Sequence, residues 1–229
     1  MDITGELFHA KDQAEGSTAK TSAGSIPFAG SELGEWRHVC AFFNSDDEEY
    51  NVLLPFIRDG FACGDKAVHI VNQSQRENHL QRLSEAGIEF GQAQRCGQIE
   101  VRSNTETYLL DGQFDQDRML GVFEQMVSGR ESEKFPRSRI VCQMDWAAAS
   151  ERHVEELIEF ESRVNDLWQR HPDVVICTYR LGKFSGDTVI DIMRTHPMII
   201  IGGILQHNPF YVPSEEFLHE IRERRSLRN

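Results

Sequence analysis

The sequence predicts an α/β fold in which a mostly parallel central sheet lies between helices on both faces, forming a three-layer sandwich. Beyond residue 34, short apolar runs typical of strands alternate with amphipathic helical patterns, and turn or capping residues stand at most of the joints. Strands that are buried on both faces have continuous hydrophobic runs of this kind. At 229 residues the chain is long enough to bury a full core in one such domain.

The first strand, helix and second strand span residues 37–72. An apolar run from residue 38 precedes Ser45 and Glu48, which form a capping-box pattern, and a second apolar run begins at Lys66. Phosphate-binding ATPases use this layout with a glycine-rich Gly-Lys-Ser/Thr loop before the helix. Here residues 46–49 are four acids instead, which satisfy the positive end of the helix dipole and repel a triphosphate. The sequence therefore predicts a nucleotide-binding scaffold without its phosphate-binding chemistry.

The remaining elements follow from periodicity and capping signals. We expect them in this order: helix 46–61, strand 66–72, a helix capped at Ser74 and ending at 86–87, strand 98–103 near an edge, helix 115–128, strand 138–145, a helix capped by Ser150, strand 173–179, a helix capped by Ser185, strand 198–204 and a helix from Ser214. In this arrangement the pair Gly202 and Gly203 indicates a bulge, or a close approach of backbone or ligand.

Composition narrows the classes of partner. The 37 acidic side chains exceed the 24 basic ones, which argues against direct binding to nucleic acid or to an anionic membrane. No run approaches the ~18 apolar residues of a membrane span, and the first 30 residues lack the pattern of a secretory signal. We expect a cytoplasmic protein with no membrane partner.

Composition also divides the chain into two regions. Residues 1–34 are rich in small, polar and charged residues and predict a flexible or weakly docked N-terminal tail, whereas residues 35–229 predict a single α/β domain.

The five cysteines form no Cys-x-x-Cys pair, and three of them fall in predicted strands, where we interpret them as buried small hydrophobes. They are Cys40, Cys63, Cys96, Cys142 and Cys177.

Several segments resemble the MEDS domain, the sensory domain named for methanogens, methylotrophs and a dichloromethane-responsive regulator. The resemblance lies in residues 38–43, 64–72, 140–146, 176–179 and 196–200, and it extends over roughly residues 35–225. It implies a RecA/KaiC-like fold that has lost the phosphate-binding loop, and a role in bacterial or archaeal signalling through the sensing of small organic compounds. Because the sequence carries no kinase or helix-turn-helix pattern, we expect a separate signalling protein, such as a histidine kinase or transcription regulator, as its partner.

Candidate ligand-binding residues follow from topology, because ligands of open parallel sheets bind outside the carboxyl ends of the strands. These positions form a rim of hydrogen-bonding groups with two aromatic rings, which suits a small organic ligand of mixed polarity. The candidates are Asn44, Ser45, Asn72, Asn104, Asp145, Trp146, Tyr179, Arg180 and His207. Core packing is the alternative for Trp146 and Tyr179.

No cofactor and no metal site are predicted, although three residues are of a type and position that could bind a metal ion. Asp145 occupies the place of the magnesium-binding acid in RecA-type enzymes. His38 and His69 lie in two strands that could neighbour each other, but no local spacing supplies a third ligand. The alternative is that each of the three is hydrogen-bonded within the protein.

Three functions remain open at this point. The first is a non-enzymatic sensory or regulatory module that binds a small ligand and acts on a partner protein. The second is a residual nucleotide-binding ATPase with Asp145 as its magnesium ligand. The third is a pure interaction module with a vestigial pocket, in which Phe217, Leu218 and Ile221 of the last helix contact another subunit, so that a homo-oligomer is possible.

Overall fold

The computed structural model describes residues 24–130 and 135–227, which form a seven-stranded sheet and a separate two-stranded hairpin. The hairpin consists of β1 (Ile26–Phe28) and β2 (Ser31–Leu33). The sheet has the strand order β5-β4-β6-β7-β3-β8-β9. Its strands are β3 (His38–Phe43), β4 (Lys66–Val71), β5 (Ile99–Ser103), β6 (Ser138–Gln143), β7 (Val174–Arg180), β8 (Met198–Ile201) and β9 (Ile204–His207).

Helices cover both faces of this sheet, which confirms the predicted α/β class. They are α1 (Asp46–Ala62), α2 (Arg76–Glu85), α3 (Phe90–Arg95), α4 (Gln116–Arg130), α5 (Glu151–Trp168), α6 (Gly186–Arg194) and α7 (Ser214–Ser226). One buried cluster joins the sheet to α1, α2, α3 and the hairpin. A second cluster joins the opposite face to α4, α5, α6 and α7.

All pairs from β5 to β8 are parallel, so their carboxyl ends lie at one edge of the sheet. Every residue of β3 and β6 is buried, as expected for strands covered on both faces. The sequence placed the strand over residues 98–103 near an edge of the sheet. This is confirmed, because the corresponding strand β5 is at one end of the strand order. Ser150 and Ser185 accept hydrogen bonds from backbone N–H groups as the N-caps of α5 and α6.

The expected single strand over residues 198–204 is wrong. Gly202 and Gly203 have φ of 59° and 74°, and between them the chain reverses into β9, which is antiparallel to β8. Two successive residues with positive φ are the requirement of a tight hairpin turn, which glycine meets without steric cost. The pair therefore makes a turn, whereas the sequence indicated a bulge or a close approach.

Two further local expectations fail. Residues 73–75 form a 3₁₀ turn, and α2 begins after Gln75 without a side-chain cap, so Ser74 does not cap it. The six-residue helix α3 was not expected, because so short an element shows too few turns for helical periodicity to be visible.

The predicted N-terminal tail spans residues 1–34, of which the structure describes 24–34. Ile26, Phe28 and Leu33 of the hairpin are buried in the cluster that includes α1, and Phe28 packs against Phe56 with ring centroids 4.3 Å apart. This part of the predicted tail is therefore packed on the domain. Residues 1–23 lie outside the described residues.

The last helix packs within its own chain. Phe217 and Ile221 of α7 are buried in the cluster that contains α5, so the apolar face that could have contacted another subunit is already covered. In the part of the chain that the structure describes, every helix is too short or too polar to cross a bilayer.

Candidate functional site

A network of charged and amide side chains occupies the carboxyl edge of the sheet, and Arg180 is at its centre. Arg180 ends β7, and its Nη2 donates to Oε2 of Glu49 in α1 at 3.1 Å and also to Asp46. Both acids belong to the first turn of α1, where a phosphate-binding loop would deliver its ligand. The guanidinium of Arg180 thus lies beside the acids at the start of this helix.

Glu49 is buried between α1 and the sheet. Its Oε1 accepts hydrogen bonds from Thr178 at 3.1 Å and from Gln143 at 3.3 Å. Burial raises the pKa of the Glu49 carboxyl to about 6, against the opposing effects of the hydrogen bond from Gln143 and the charge of Arg180. Glu49 therefore titrates closer to neutral pH than an exposed glutamate does.

Asp145 fixes the loop that follows β7. Its Oδ1 accepts a hydrogen bond from the backbone N–H of Arg180 at 2.8 Å, and its Oδ2 lies 3.0 Å from Nζ of Lys183. The carboxylate that could have been a magnesium ligand is thus paired with a backbone amide and an ammonium group. A cation at this position would have to displace Lys183.

A chain of amide groups continues the network toward the edge strand β5. Asn72 follows β4, and its backbone N–H donates to Oε1 of Gln143 at 2.9 Å. Asn104 follows β5, where its Nδ2 donates to Oδ1 of Asn72 at 3.3 Å and its Oδ1 accepts from Gln73 at 3.1 Å. We call the whole set the carboxyl-edge network: Asp46, Glu49, Asn72, Asn104, Gln143, Asp145, Thr178, Arg180 and Lys183.

The two remaining candidates at the start of α1 have structural partners. Ser45 accepts a hydrogen bond from the backbone N–H of Glu48, and Glu48 accepts from the backbone N–H of Asn44 at 2.7 Å. This is the capping that the sequence predicts. Asn44 and Ser45 remain exposed beside the network.

Three predicted ligand-binding residues lie elsewhere. Trp146 is buried and stacks on Tyr108 with ring centroids 5.1 Å apart. Tyr179 is also buried, and its hydroxyl donates to Glu161 on the opposite face of the sheet. His207 pairs with Met198, at the amino end of β8, because β9 runs antiparallel. The structure therefore brings together Asn72, Asn104, Asp145 and Arg180, with Asn44 and Ser45 alongside.

Five members of the network were not among the candidates: Asp46, Glu49, Gln143, Thr178 and Lys183. Side-chain alternation along β7 provides a signal for one of them, because Thr178 must share a face with Arg180. Gln143 is a polar residue at the end of a hydrophobic strand, which is a similar signal. Glu49 was interpreted as part of a solvated acidic helix start, and only the approach of α1 to the sheet buries it.

A surface cavity of about 220 Å³ lies at the other edge of the sheet. It is lined by residues that include Phe61 at the end of α1, Ile88, Ala93 and Gln98 just before β5. Its walls are formed by the ends of α1, α2 and α3, so it is separate from the carboxyl-edge network.

A second polar cluster is fully buried on the α5 face of the sheet. Oε2 of Glu161 lies 3.1 Å from Nε2 of His38, 3.4 Å from Nε2 of His196 and 3.7 Å from Sγ of Cys177. The Cys177 sulfur lies 3.6 Å from Nε2 of His38. All four side chains are buried, and one donor atom from each lies within 4.8 Å of the others, which is close enough to share a metal ion.

His69 does not take part in this cluster. Strands β6 and β7 lie between β4 and β3, so His69 and His38 are not neighbours. Nδ1 of His69 lies 2.9 Å from Nε2 of His79, and Nδ1 of His79 lies 2.8 Å from the Tyr50 hydroxyl. Burial lowers the pKa of both imidazoles, which indicates neutral rings hydrogen-bonded in a row.

The domain has an α/β fold of RecA/KaiC-like type, and carboxylates and an arginine lie at the first turn of α1. The fold is similar to that of the KaiC-like protein PH0186 from Pyrococcus horikoshii OT3, with a TM-score of 0.53 and 14% sequence identity over 80% of this chain and 76% of that one. Residues 37–197 match the model of the MEDS family, described as the MEthanogen/methylotroph, DcmR Sensory domain. The chain belongs to this family.

The chain is also similar to a regulator of transcription. It is 23% identical over 197 residues to the transcriptional repressor DcmR of Methylorubrum extorquens, a match that covers 86% of this chain and 71% of the repressor. Together with the family, this relative supports a sensory and regulatory role.

Proposed function

We propose that this domain is a non-enzymatic sensor that binds a small organic ligand at the carboxyl edge of its sheet and passes the signal to a separate protein. The observation that carries the proposal is the contact of Arg180 with Asp46 and Glu49, where RecA/KaiC-type enzymes hold phosphates. Membership of a sensory family and the similarity to a transcriptional repressor support it.

Charge at this edge favours recognition of a ligand other than a nucleotide. The first turn of α1 carries four acids, and two cations that border the network are already paired, Arg180 with Asp46 and Glu49 and Lys183 with Asp145. A triphosphate brought to this turn would be repelled by the acids and would have to compete for both cations. Nucleotide hydrolysis therefore has little support from the electrostatics of the site.

The chemistry of the edge also indicates the class of ligand. The groups that border solvent are amides, a hydroxyl and charged side chains, whereas both predicted aromatic rings face the core. A small molecule with hydrogen-bonding groups can bind the amides of Asn44 and Asn72 and can exchange with the ion pair of Lys183, which is half exposed. Such an exchange would release the loop after β7 and so alter the surface offered to a partner.

The partner in this proposal is a signalling protein such as a histidine kinase or a transcription regulator. The similarity to a repressor favours an output at the level of transcription. A protein that controls such an output would act in the cytoplasm.

A thermal-shift screen, followed by calorimetric titration of each hit, tests the proposal. The screen would compare oxygenated, halogenated and aminated organic compounds of one to four carbons with ATP and with ATP plus Mg²⁺. A ligand present at 100 times its Kd should add about 2.7 kcal/mol to the free energy of unfolding. We expect a small organic compound to bind, Asn72→Ala and Lys183→Ala to weaken it, and His207→Ala at the opposite edge to leave it unchanged.

The same screen identifies the competing function. Asp145 lies two residues after the end of β6, so binding of ATP with Mg²⁺ that is lost in Asp145→Asn would favour a residual ATPase. Binding of a small compound that is lost in His207→Ala and kept in Asn72→Ala would contradict the proposed position of the site.

A further inference from the structure

We infer that the buried cluster of His38, Glu161, Cys177 and His196 is a closed binding site for a divalent transition-metal ion, with zinc as the first candidate. This inference stands independently of the proposed ligand site at the carboxyl edge. The donor atoms are Nε2 of both histidines, Oε2 of Glu161 and Sγ of Cys177. Nitrogen, oxygen and thiolate donors of this kind are the ligands that Zn²⁺ takes in proteins.

Distances between the donor atoms fit a tetrahedral ion. With metal–ligand bonds of about 2.1 Å to N and O and about 2.3 Å to S, a tetrahedron has N···O edges of about 3.4 Å and edges to sulfur of about 3.6 Å. The observed N···O separations from Glu161 to His38 and His196 are 3.1 and 3.4 Å. The separations from Cys177 to His38 and Glu161 are 3.6 and 3.7 Å. These four separations are thus already close to those of a tetrahedral site, and all four donor atoms lie within 4.8 Å of one another.

Hydrogen bonds at the far side of each ring fix the tautomer of the histidines. Nδ1 of His196 lies 2.9 Å from the carbonyl oxygen of Ile192, which can only accept, so Nδ1 carries the proton. Nδ1 of His38 lies 2.9 Å from Oδ1 of Asn165. The Asn165 amide is oriented by its Nδ2, which donates to the carbonyl oxygens of Glu161 and Thr195. In their neutral forms both rings therefore direct an Nε2 lone pair into the cluster.

Two lone pairs and a carboxylate that face one another repel unless a cation lies between them. Nε2 of His196 makes no hydrogen bond in the part of the chain that the structure describes, although it is fully buried. A buried polar atom without a partner is costly, and a metal ion would satisfy it. One proton shared between Glu161 and His38 would leave Nε2 of His196 unsatisfied, which favours the metal.

The surroundings hold the carboxylate and balance the charge. The hydroxyl of Tyr179 donates to Oε1 of Glu161 at 2.7 Å, which leaves Oε2 free to bind the ion. A Zn²⁺ ion with one carboxylate, one thiolate and two neutral imidazoles has no net charge, as a fully buried site requires. Four protein ligands leave no open position for a substrate, so the site is structural or regulatory.

The four ligands come from separate parts of the chain. His38 opens β3, Cys177 lies in β7, Glu161 lies in α5 and His196 follows α6. An ion bound to all four would join the centre of the sheet to the helical layer and would close long loops of the unfolded chain. We therefore expect its removal to destabilise the whole domain.

Metal analysis and cobalt substitution test the inference. Protein purified without a metal-affinity step should contain one zinc ion per chain by mass spectrometry, and chelation should lower the Tm until zinc is returned. Protein loaded with Co²⁺ should show tetrahedral d–d absorption together with a thiolate-to-cobalt charge-transfer band. Cys177→Ser should remove that band, whereas Cys142→Ser, the same change at a buried cysteine in the neighbouring strand, should keep it.

A milder variant separates metal binding from folding. Tyr179→Phe removes only the hydrogen bond to Oε1 of Glu161, and we expect it to weaken Co²⁺ binding by about 10- to 100-fold in a chelator competition while the protein stays folded. The inference is overturned if neither zinc nor cobalt binds at one equivalent, or if the thiolate band survives in Cys177→Ser. Equal cobalt affinity in Tyr179→Phe and in the unmodified protein would also contradict the assigned ligand oxygen.

Discussion

Arg180 of β7 donates to the buried carboxylate of Glu49 in α1 at 3.1 Å, and this contact links the sheet to the helix that would carry a phosphate-binding loop in an ATPase. The side chains of Arg180 and Glu49 are only 15% and 6% exposed. Because few water molecules reach the pair, removing one partner leaves the other charge poorly solvated.

Replacing Arg180 with alanine should therefore lower the free energy of unfolding by about 3 kcal/mol, because breaking a buried pair leaves the other ion buried without a partner. Urea denaturation at neutral pH measures the change. Arg152→Ala is the matched control, because Arg152 is 73% exposed and pairs with Glu156 on the surface of α5. That variant should change the stability by less than about 0.5 kcal/mol. Equal losses in the two variants would contradict the burial of the Arg180 contact.

The pH dependence of stability should report the raised pKa of Glu49. A carboxyl whose pKa rises from 4.5 to about 6 on folding contributes stability that is fully present below 4.5 and is lost as the pH rises through 6. This difference between the folded and unfolded pKa corresponds to about 2 kcal/mol. Glu49→Gln removes this titration, so its stability relative to the unmodified protein should increase by about 2 kcal/mol between pH 4 and pH 7.5.

Denaturation curves at several pH values measure this effect. Glu124→Gln is the matched control, because it makes the same change at a carboxylate that lies exposed in α4. A constant difference between Glu49→Gln and the unmodified protein over this range would show that Glu49 does not titrate there.

The sheet and its two helical layers could be predicted because their signals are local. Each parallel strand has a hydrophobic run, and Ser150 and Ser185 are caps whose partners lie three residues away. Polar residues after the strand ends, such as Asn72 and Asp145, could be assigned to one edge because parallel strands end together.

What could not be predicted depends on contacts between distant segments. Glu49 and its acidic neighbours have the same local pattern, and only the approach of α1 to the sheet buries Glu49. His38, Glu161, Cys177 and His196 are far apart in the chain, so no spacing motif indicates that they meet. His207 was assigned to the wrong edge because the Gly-Gly turn that reverses β9 was interpreted as part of a single strand.

Truncation of Phe217 tests whether the last helix belongs to the core. Phe217 is fully buried, and the guanidinium of Arg194 lies 4.9 Å from its ring centroid. Phe217→Ala should lower the free energy of unfolding by about 3–5 kcal/mol, because it removes a large buried side chain and leaves a cavity. Leu227→Ala, at a residue that is 87% exposed, should have almost no effect in the same urea titration. A negligible loss in Phe217→Ala would mean that α7 does not pack against the core in solution.

Substitutions at Gly202 test the hairpin that separates β8 from β9. Gly202 has a φ of 59°, and the space where a Cβ would stand contains no atom within 4 Å, so backbone conformation alone should decide the effect. Asparagine tolerates positive φ, whereas a β-branched residue does not. We expect Gly202→Val to lower the free energy of unfolding by about 1–2 kcal/mol and Gly202→Asn to cost much less, as measured by urea denaturation. If the two variants were equally stable, the chain would not turn at this residue with positive φ.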